Sequence, residues 1–251
     1  MRRVIAVDTD FSVVEETADW LVVDKPAPLI VHPTSQKKEP TLLCGLNAML
    51  EERGEEAGGL SFINRLDRET SGLVLVARNS VAARQFGKAM MRREIGKEYR
   101  AIVRGWPDWE EQRVDGPILR RGEVVENARV WVRQTVHPDG KPCVTHLSVE
   151  RRVEREEGRF SLLRVTTETG RMHQIRVHCA HVGHPIVGDK IYGGNEDCYL
   201  EFMESGWTEG LQQELLLERQ ALHASHLTAV WDGCSREWQA PLPEMMAAFL
   251  G

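Results

Sequence analysis

The chain has no apolar run near the roughly 20 residues that a bilayer-spanning helix needs, so no membrane partner is expected. The stretch from Met1 to Asp8 opens with charge, and its apolar part is too short for a signal peptide. Cysteine is sparse. Cys44, Cys143, Cys179, Cys198 and Cys234 are odd in number, scattered and free of CxxC pairs, which fits free thiols in a reducing cytoplasm. A basic excess is also missing: the formal net charge is −6, which by itself argues mildly against a nucleic-acid partner, because phosphate contacts need Lys and Arg. Internal repeats and low-complexity linkers are absent, so the 251 residues read as a single domain spanning 1–251.

The charge that is present is uneven. Acid gathers in Glu51–Glu56 and between Glu196 and Glu218, while Arg84, Lys88, Arg92, Arg93, Lys97, Arg100 and Arg104 cluster. A local basic face can hold RNA on an acidic protein, so composition leaves that partner open. Spacing predicts a helix from Thr41 to Met49, capped by Thr41, and a charged loop from Glu51 to Gly59. A second helix, capped by Asn79 or Ser80, should run to about Met91. It would turn Ala82, Phe86 and Met90 inward and Arg84, Lys88 and Arg92 outward. Lys97–Gly105 alternates as a strand with Tyr99, Ala101 and Val103 on one face. Ala128–Thr135 reads as one further strand. Leu147–Glu154 and Phe160–Thr167 read as an antiparallel pair turning near Gly158. Residues 194–218 suggest a surface excursion with a short helix, and Pro243 a closing helix.

Two stretches are dense in chemistry. In Asn64-Arg65-Leu66-Asp67-Arg68-Glu69-Thr70-Ser71-Gly72 an acid lies between two arginines and leads into the apolar run Leu73–Ala77. Such a run reads as a buried strand, and the arginines can keep Asp67 ionised. Taken alone, the pattern is commonest as a structural Asp in a surface pair. The second stretch is Thr169-Gly170-Arg171-Met172-His173-Gln174-Ile175-Arg176-Val177-His178. As a helix from about His173 it carries Ile175, Cys179 and Val182 as an apolar stripe, with Gly183 and Pro185 as its stop. His178, Cys179, His181 and His184 invite a zinc reading. No acid or Cys pair accompanies them, and a helix offers at most two ligands at this spacing, so no metal is expected.

Together these stretches resemble the RluA family of pseudouridine synthases. Asn64–Gly72 is similar to its His-Arg-Leu-Asp-Arg-x-Thr-Ser-Gly motif, with Asn64 in place of His. Thr169–His178 is similar to Gly-Arg-x-His-Gln-Ile-Arg-x-His. Lys25–Pro33, Lys97–Gly105, Lys141–Thr145, Pro185–Gly193 and Arg219–Ala224 resemble further family segments in the expected order. Ala27-Pro28, Pro142 and Cys143 are off-pattern, and Pro185–Gly193 is expected as a strand and turn.

The resemblance implies an α+β domain on a mixed, largely antiparallel sheet with flanking helices and a central cleft. It implies isomerisation of a uridine in tRNA or rRNA to its C5-glycosidic isomer, with no cofactor and with the base flipped out of its stack. Asp67 is then the catalytic aspartate and Arg176 its partner, while Tyr99 packs on the base. Arg65, Arg68, His173 and Ile175 are assigned to substrate binding. A cytoplasmic monomer is expected, without the small basic RNA-binding domain of the S4 type that many relatives carry. A base-flipping N-glycosylase and an inactive RNA-binding module on the same fold are the alternatives.

Overall fold

The computed structural model describes residues 9–33, 40–231 and 233–251. The expectations placed on Met1–Asp8 lie outside them. In chain order the elements are β1 (Ser12–Glu16), β2 (Trp20–Lys25), α1 (Leu42–Glu52), β3 (Ser61–Phe62), β4 (Ser71–Ala77) and α2 (Ser80–Met91). Next come β5 (Ile95–Arg104), β6 (Glu111–Asp115), β7 (Ile118–Arg120), β8 (Gln134–Val136), β9 (Val144–Arg155) and β10 (Gly158–Thr167). The last are α3 (Gln174–His181), α4 (Glu196–Ser205), α5 (Glu209–Leu215), β11 (Leu222–Trp231), β12 (Cys234–Gln239) and α6 (Glu244–Leu250).

The chain forms two compact units. The first comprises the described residues up to Lys97 together with His223–Pro241. Its strands run in the order β1-β2-β4-β11, with β12 beside β11 and β3 beside β4. β4 and β11 pair in parallel, whereas β2 and β4 pair antiparallel with Lys25 opposite Gly72. Every residue of β4 is buried, as its unbroken apolar run demands. Leu73, Leu75 and Ala77 join Trp20, Val22 and Leu227 in a core capped by Ala82, Phe86 and Ala89 of α2. Trp20, Trp231 and Trp238 form an aromatic knot there, with ring centroids 5.4–6.5 Å apart.

Both helices of this unit start where their side chains dictate. Thr41 Oγ1 accepts the Cys44 amide at 3.2 Å, and Asn79 Oδ1 accepts those of Val81 and Ala82. Ala89 joins Ala82 and Phe86 on the fully buried face of α2, and Met90, partly buried, packs against the same core as expected. Arg84, Lys88 and Arg92 are exposed.

The second unit comprises Glu98–Leu222 and Leu242–Gly251. Its antiparallel order is β5-β10-β9-β6, with β7 and β8 as a separate hairpin. β9 and β10 turn at Gly158, whose φ of 130° suits a residue without Cβ. The predicted strand at Ala128–Thr135 shrinks to Gln134–Val136. Asn127 has φ 59°, and the Arg133 amide closes a turn on the Val130 carbonyl, so the backbone there is already committed. Residues 194–218 form two helices with a small core of Cys198, Trp207, Leu211 and Leu215, not a single surface helix. Pro185–Gly193 is a run of turns rather than a strand, paired with β5 through the Ile186–Val103 bridge. Both units thus show the expected α+β class, largely antiparallel, with β4 and β11 paired in parallel.

Candidate active site

The loop bearing Asp67 is held from three sides within the first unit. Asn64 is buried, and its side chain donates to the Leu73 carbonyl at 3.0 Å and accepts the Leu75 amide at 2.8 Å. It therefore spans β4 like a backbone partner, which a neutral amide does well because it offers both donor and acceptor. The Arg68 carbonyl accepts the Leu29 amide at 2.9 Å and the Lys25 ammonium at 3.4 Å. That ammonium, fully buried, also donates to the carbonyls of Pro26 and Leu29. Carbonyl dipoles on three sides are what an interior cation needs to replace water. Lys25 thus ties the 26–29 loop to the Asp67 loop.

Downstream, the Thr70 amide returns to the Asp67 carbonyl at 3.1 Å, and Ser71 Oγ meets His223 Nδ1 at 2.9 Å, both buried. Gly72 has φ 112°, and a Cβ there would lie 2.3 Å from the Ala224 carbonyl oxygen. The close approach of β11 therefore requires glycine at the end of the loop. Asp67 and Arg68 are half-buried and Arg65 is exposed. Burial, and then the charge of Arg65, lower the pKa of His32. His32 stacks edgewise on Phe62 at 4.5 Å.

In the second unit the chemistry-bearing helix is α3, and it is buried almost all round. Gln174 through Cys179 are inside without interruption, so the expected narrow stripe is only part of its packing. Polar groups on such a helix must be satisfied by hydrogen bonds, and here they are. Gln174 Oε1 accepts Thr169 Oγ1 at 2.7 Å and the Arg171 amide at 3.1 Å, and its Nε2 donates to Thr145 Oγ1 and the Val144 carbonyl. His178 Nε2 lies 2.8 Å from the Gly116 carbonyl, which can only accept, so Nε2 is assigned the proton and Nδ1 accepts from Thr145 Oγ1 at 2.8 Å. Burial lowers the pKa of this imidazole despite the Gly116 bond. Both ring nitrogens are engaged, and among the described residues no three His, Cys, Asp or Glu side chains converge on a metal position.

Arg176, 6% exposed, makes a fork-to-fork pair with fully buried Asp189. Nε lies 2.6 Å from Oδ2 and Nη2 lies 2.8 Å from Oδ1. Burial pushes the Asp189 carboxyl up, but the Arg176 charge and bonds, the Ile191 amide and His173 outweigh it and hold the pKa below the ordinary value. The Arg176 guanidinium lies 5.1 Å from the centroid of Tyr192, whose hydroxyl meets His173 Nδ1 at 2.9 Å and the Gln134 amide at 2.8 Å. His173, with φ 58°, turns the chain into α3. Nη1 of Arg176 lies outside the fork with Asp189. Ile175 is buried beside it in sequence, and Tyr99 is buried on β5 opposite Val165.

The structure therefore gathers Arg176, His173 and Ile175 on α3 and the turn that leads into it, and Arg65, Asp67 and Arg68 on one loop. Lys25, Thr145, Asp189, Tyr192 and His223 are added to these sets by the fold. Each lies in a segment with a sequence signal, Lys25–Pro33, Lys141–Thr145, Pro185–Gly193 or Arg219–Ala224, but nothing in the local sequence marked any of them as a partner of the two loops.

Comparison with known proteins supplies the family. The family model for RNA pseudouridylate synthase matches residues 19–181. The chain belongs to this family, in its RluA branch, and is an RNA pseudouridine synthase. It is 36% identical over 248 residues to ribosomal large subunit pseudouridine synthase D of Escherichia coli, covering 97% of this chain and 70% of that one. The protein of the same name from Haemophilus influenzae is 34% identical over 255 residues, covering 96% and 70%. Among solved structures, human RNA pseudouridylate synthase domain containing 4 superposes with TM-score 0.71 at 22% identity, covering 94% of this chain and 90% of that one. Human RNA pseudouridylate synthase domain containing 1 gives 0.67 at 25% identity, covering 93% and 84%.

Proposed function

We propose that this synthase isomerises a uridine of large-subunit ribosomal RNA, with Asp67 as the catalytic carboxylate. The observation that carries the target is the likeness over nearly the whole chain to proteins named for the large ribosomal subunit. Asp67 is carried by the motif Asn64–Gly72 and by the clamping of its turn through Lys25, Asn64 and the Arg68 carbonyl. Arg176 keeps Asp67 charged and aimed, and Tyr99 supplies the ring on which the extracted base packs. Arg65 and Arg68 take phosphate or order the loop, and His173 and Ile175 line the base-binding side.

The base is released from C1′ of the ribose, rotated and rejoined through C5, and the C5 proton departs to N1. Atoms and electrons balance within the nucleotide, so no cofactor or metal is needed. The enzyme works as a cytoplasmic monomer on RNA. Pseudouridine mapping across ribosomal and transfer RNA from cells with and without the gene tests the target. Loss of a large-subunit site is expected, and loss confined to transfer RNA would overturn the assignment.

A further inference from the structure

Trp131 is the most exposed aromatic among the described residues, at 68%, yet it is not on a loose segment. Val130 and Val132 on either side of it pack into the cluster that holds Val177 of α3 and Tyr192. The Arg133 amide closes the turn on the Val130 carbonyl at 3.1 Å. The Arg120 guanidinium lies 4.6 Å from the indole centroid and fixes its orientation. A lone exposed apolar side chain is ordinary by itself; what sets this one apart is the guanidinium stacked on it and the ordered turn that presents it.

Its surroundings say what kind. Arg120, Arg121, Arg129 and Arg133 all lie in the hairpin segment Ile118–Val136. Arg121 and Arg133 share the carboxylate of Glu196, and among the described residues no carboxylate pairs with Arg120. Indole and guanidinium planes are the surfaces on which unpaired bases stack. The segment also reaches the buried arginine of α3. Arg133 and Arg176 both lie against the ring of Tyr192, at 5.6 and 5.1 Å, and the Gln134 amide binds its hydroxyl.

We propose that Trp131, backed by Arg120, is a stacking platform for an unpaired base of the substrate RNA flanking the target uridine. The inference rests on the reading that Arg176 belongs to the active site.

The test uses the full-length enzyme and total cellular RNA, labelled with tritium at C5 of uridine, from cells lacking the gene. Trp131→Ala should raise KM by about 5- to 150-fold, the range for losing one stacked base, with kcat within about twofold. Trp131→Phe should restore most of the loss. The slope of log KM against log salt should not change, because stacking releases no counterions. Wild-type release that vanishes in Asp67→Asn reports on the active-site reading independently. An unchanged KM in Trp131→Ala, with a native circular dichroism spectrum, would overturn the platform. So would a fall from dimer to monomer in sedimentation on the same substitution, which would make the indole a contact between copies.

Discussion

At the residue scale the decisive contrast is between two carboxylates. Asp67 sits half-buried on a clamped turn, whereas Asp189 is fully buried and committed to Arg176 and two backbone amides. Asp67→Asn keeps the shape and removes the charge, so tritium release from C5 of uridine should fall to background while RNA binding largely persists. Substantial release from that variant would sink the assignment. Arg176→Met should also be severe, and if the two residues act as one unit the double variant should be scarcely worse than Asp67→Asn alone. Asp189→Asn leaves a buried guanidinium without its charge partner. Breaking such a pair costs about 3–5 kcal/mol of stability, measurable by urea unfolding, and should lower kcat more than it raises KM. Stability and kcat both at wild-type levels would show that Asp189 does not hold Arg176. Asp67 and Arg176 were legible because both sit in dense, ordered motifs. Asp189 lies in a motif too, but nothing there marks it as a partner, because a pairing that spans 13 residues through turns leaves no periodic trace.

At the element scale, legibility followed period and capping. Both early helices and the β9–β10 pair were readable from Thr41, Asn79 and Gly158, where one side chain or its absence fixes the backbone. Ala128–Thr135 alternates and so reads as a strand, while tertiary contacts at Val130 and Tyr192 fold most of it into a turn. The all-round burial of α3 was hidden because Gln174, Arg176 and His178 count as polar until their partners are known. A different element carries charge. Between Ser80 and Arg93, α2 and its cap hold four cations and no acid on a chain of net charge −6. Reversing Arg84, Lys88 and Arg92 to Glu should weaken RNA binding and flatten its salt dependence, by roughly 0.7–0.9 in slope for each phosphate no longer neutralised. An unchanged slope would place the RNA path elsewhere.

For the whole molecule the buried titratable groups set a pH profile of stability. His178 is buried neutral, with its folded pKa below the ordinary 6.5 because burial disfavours the cation. Its stabilising contribution is therefore complete above the unfolded value and is lost as pH falls through the folded one. Asp189 is also depressed, from an ordinary value of 3.8, so its contribution is complete above that value and lost only at lower pH. The two act in sequence on acidification. Stability should begin to fall below about pH 6.5, with a slope approaching 1.4 kcal/mol per pH unit for each proton taken up preferentially by the unfolded chain. A second loss should follow below about pH 4 as Asp189 is protonated and Arg176 is left alone. His178→Gln replaces the imidazole with a group that cannot titrate, so it should shrink the first decline to the share of His32, whose pKa is also lowered, while leaving the second. Urea midpoints from pH 8 to pH 3.5 for the wild type and this variant measure both. If the decline below pH 6.5 survives unchanged in His178→Gln, another group drives it, and the neutral assignment of the imidazole under α3 fails with it.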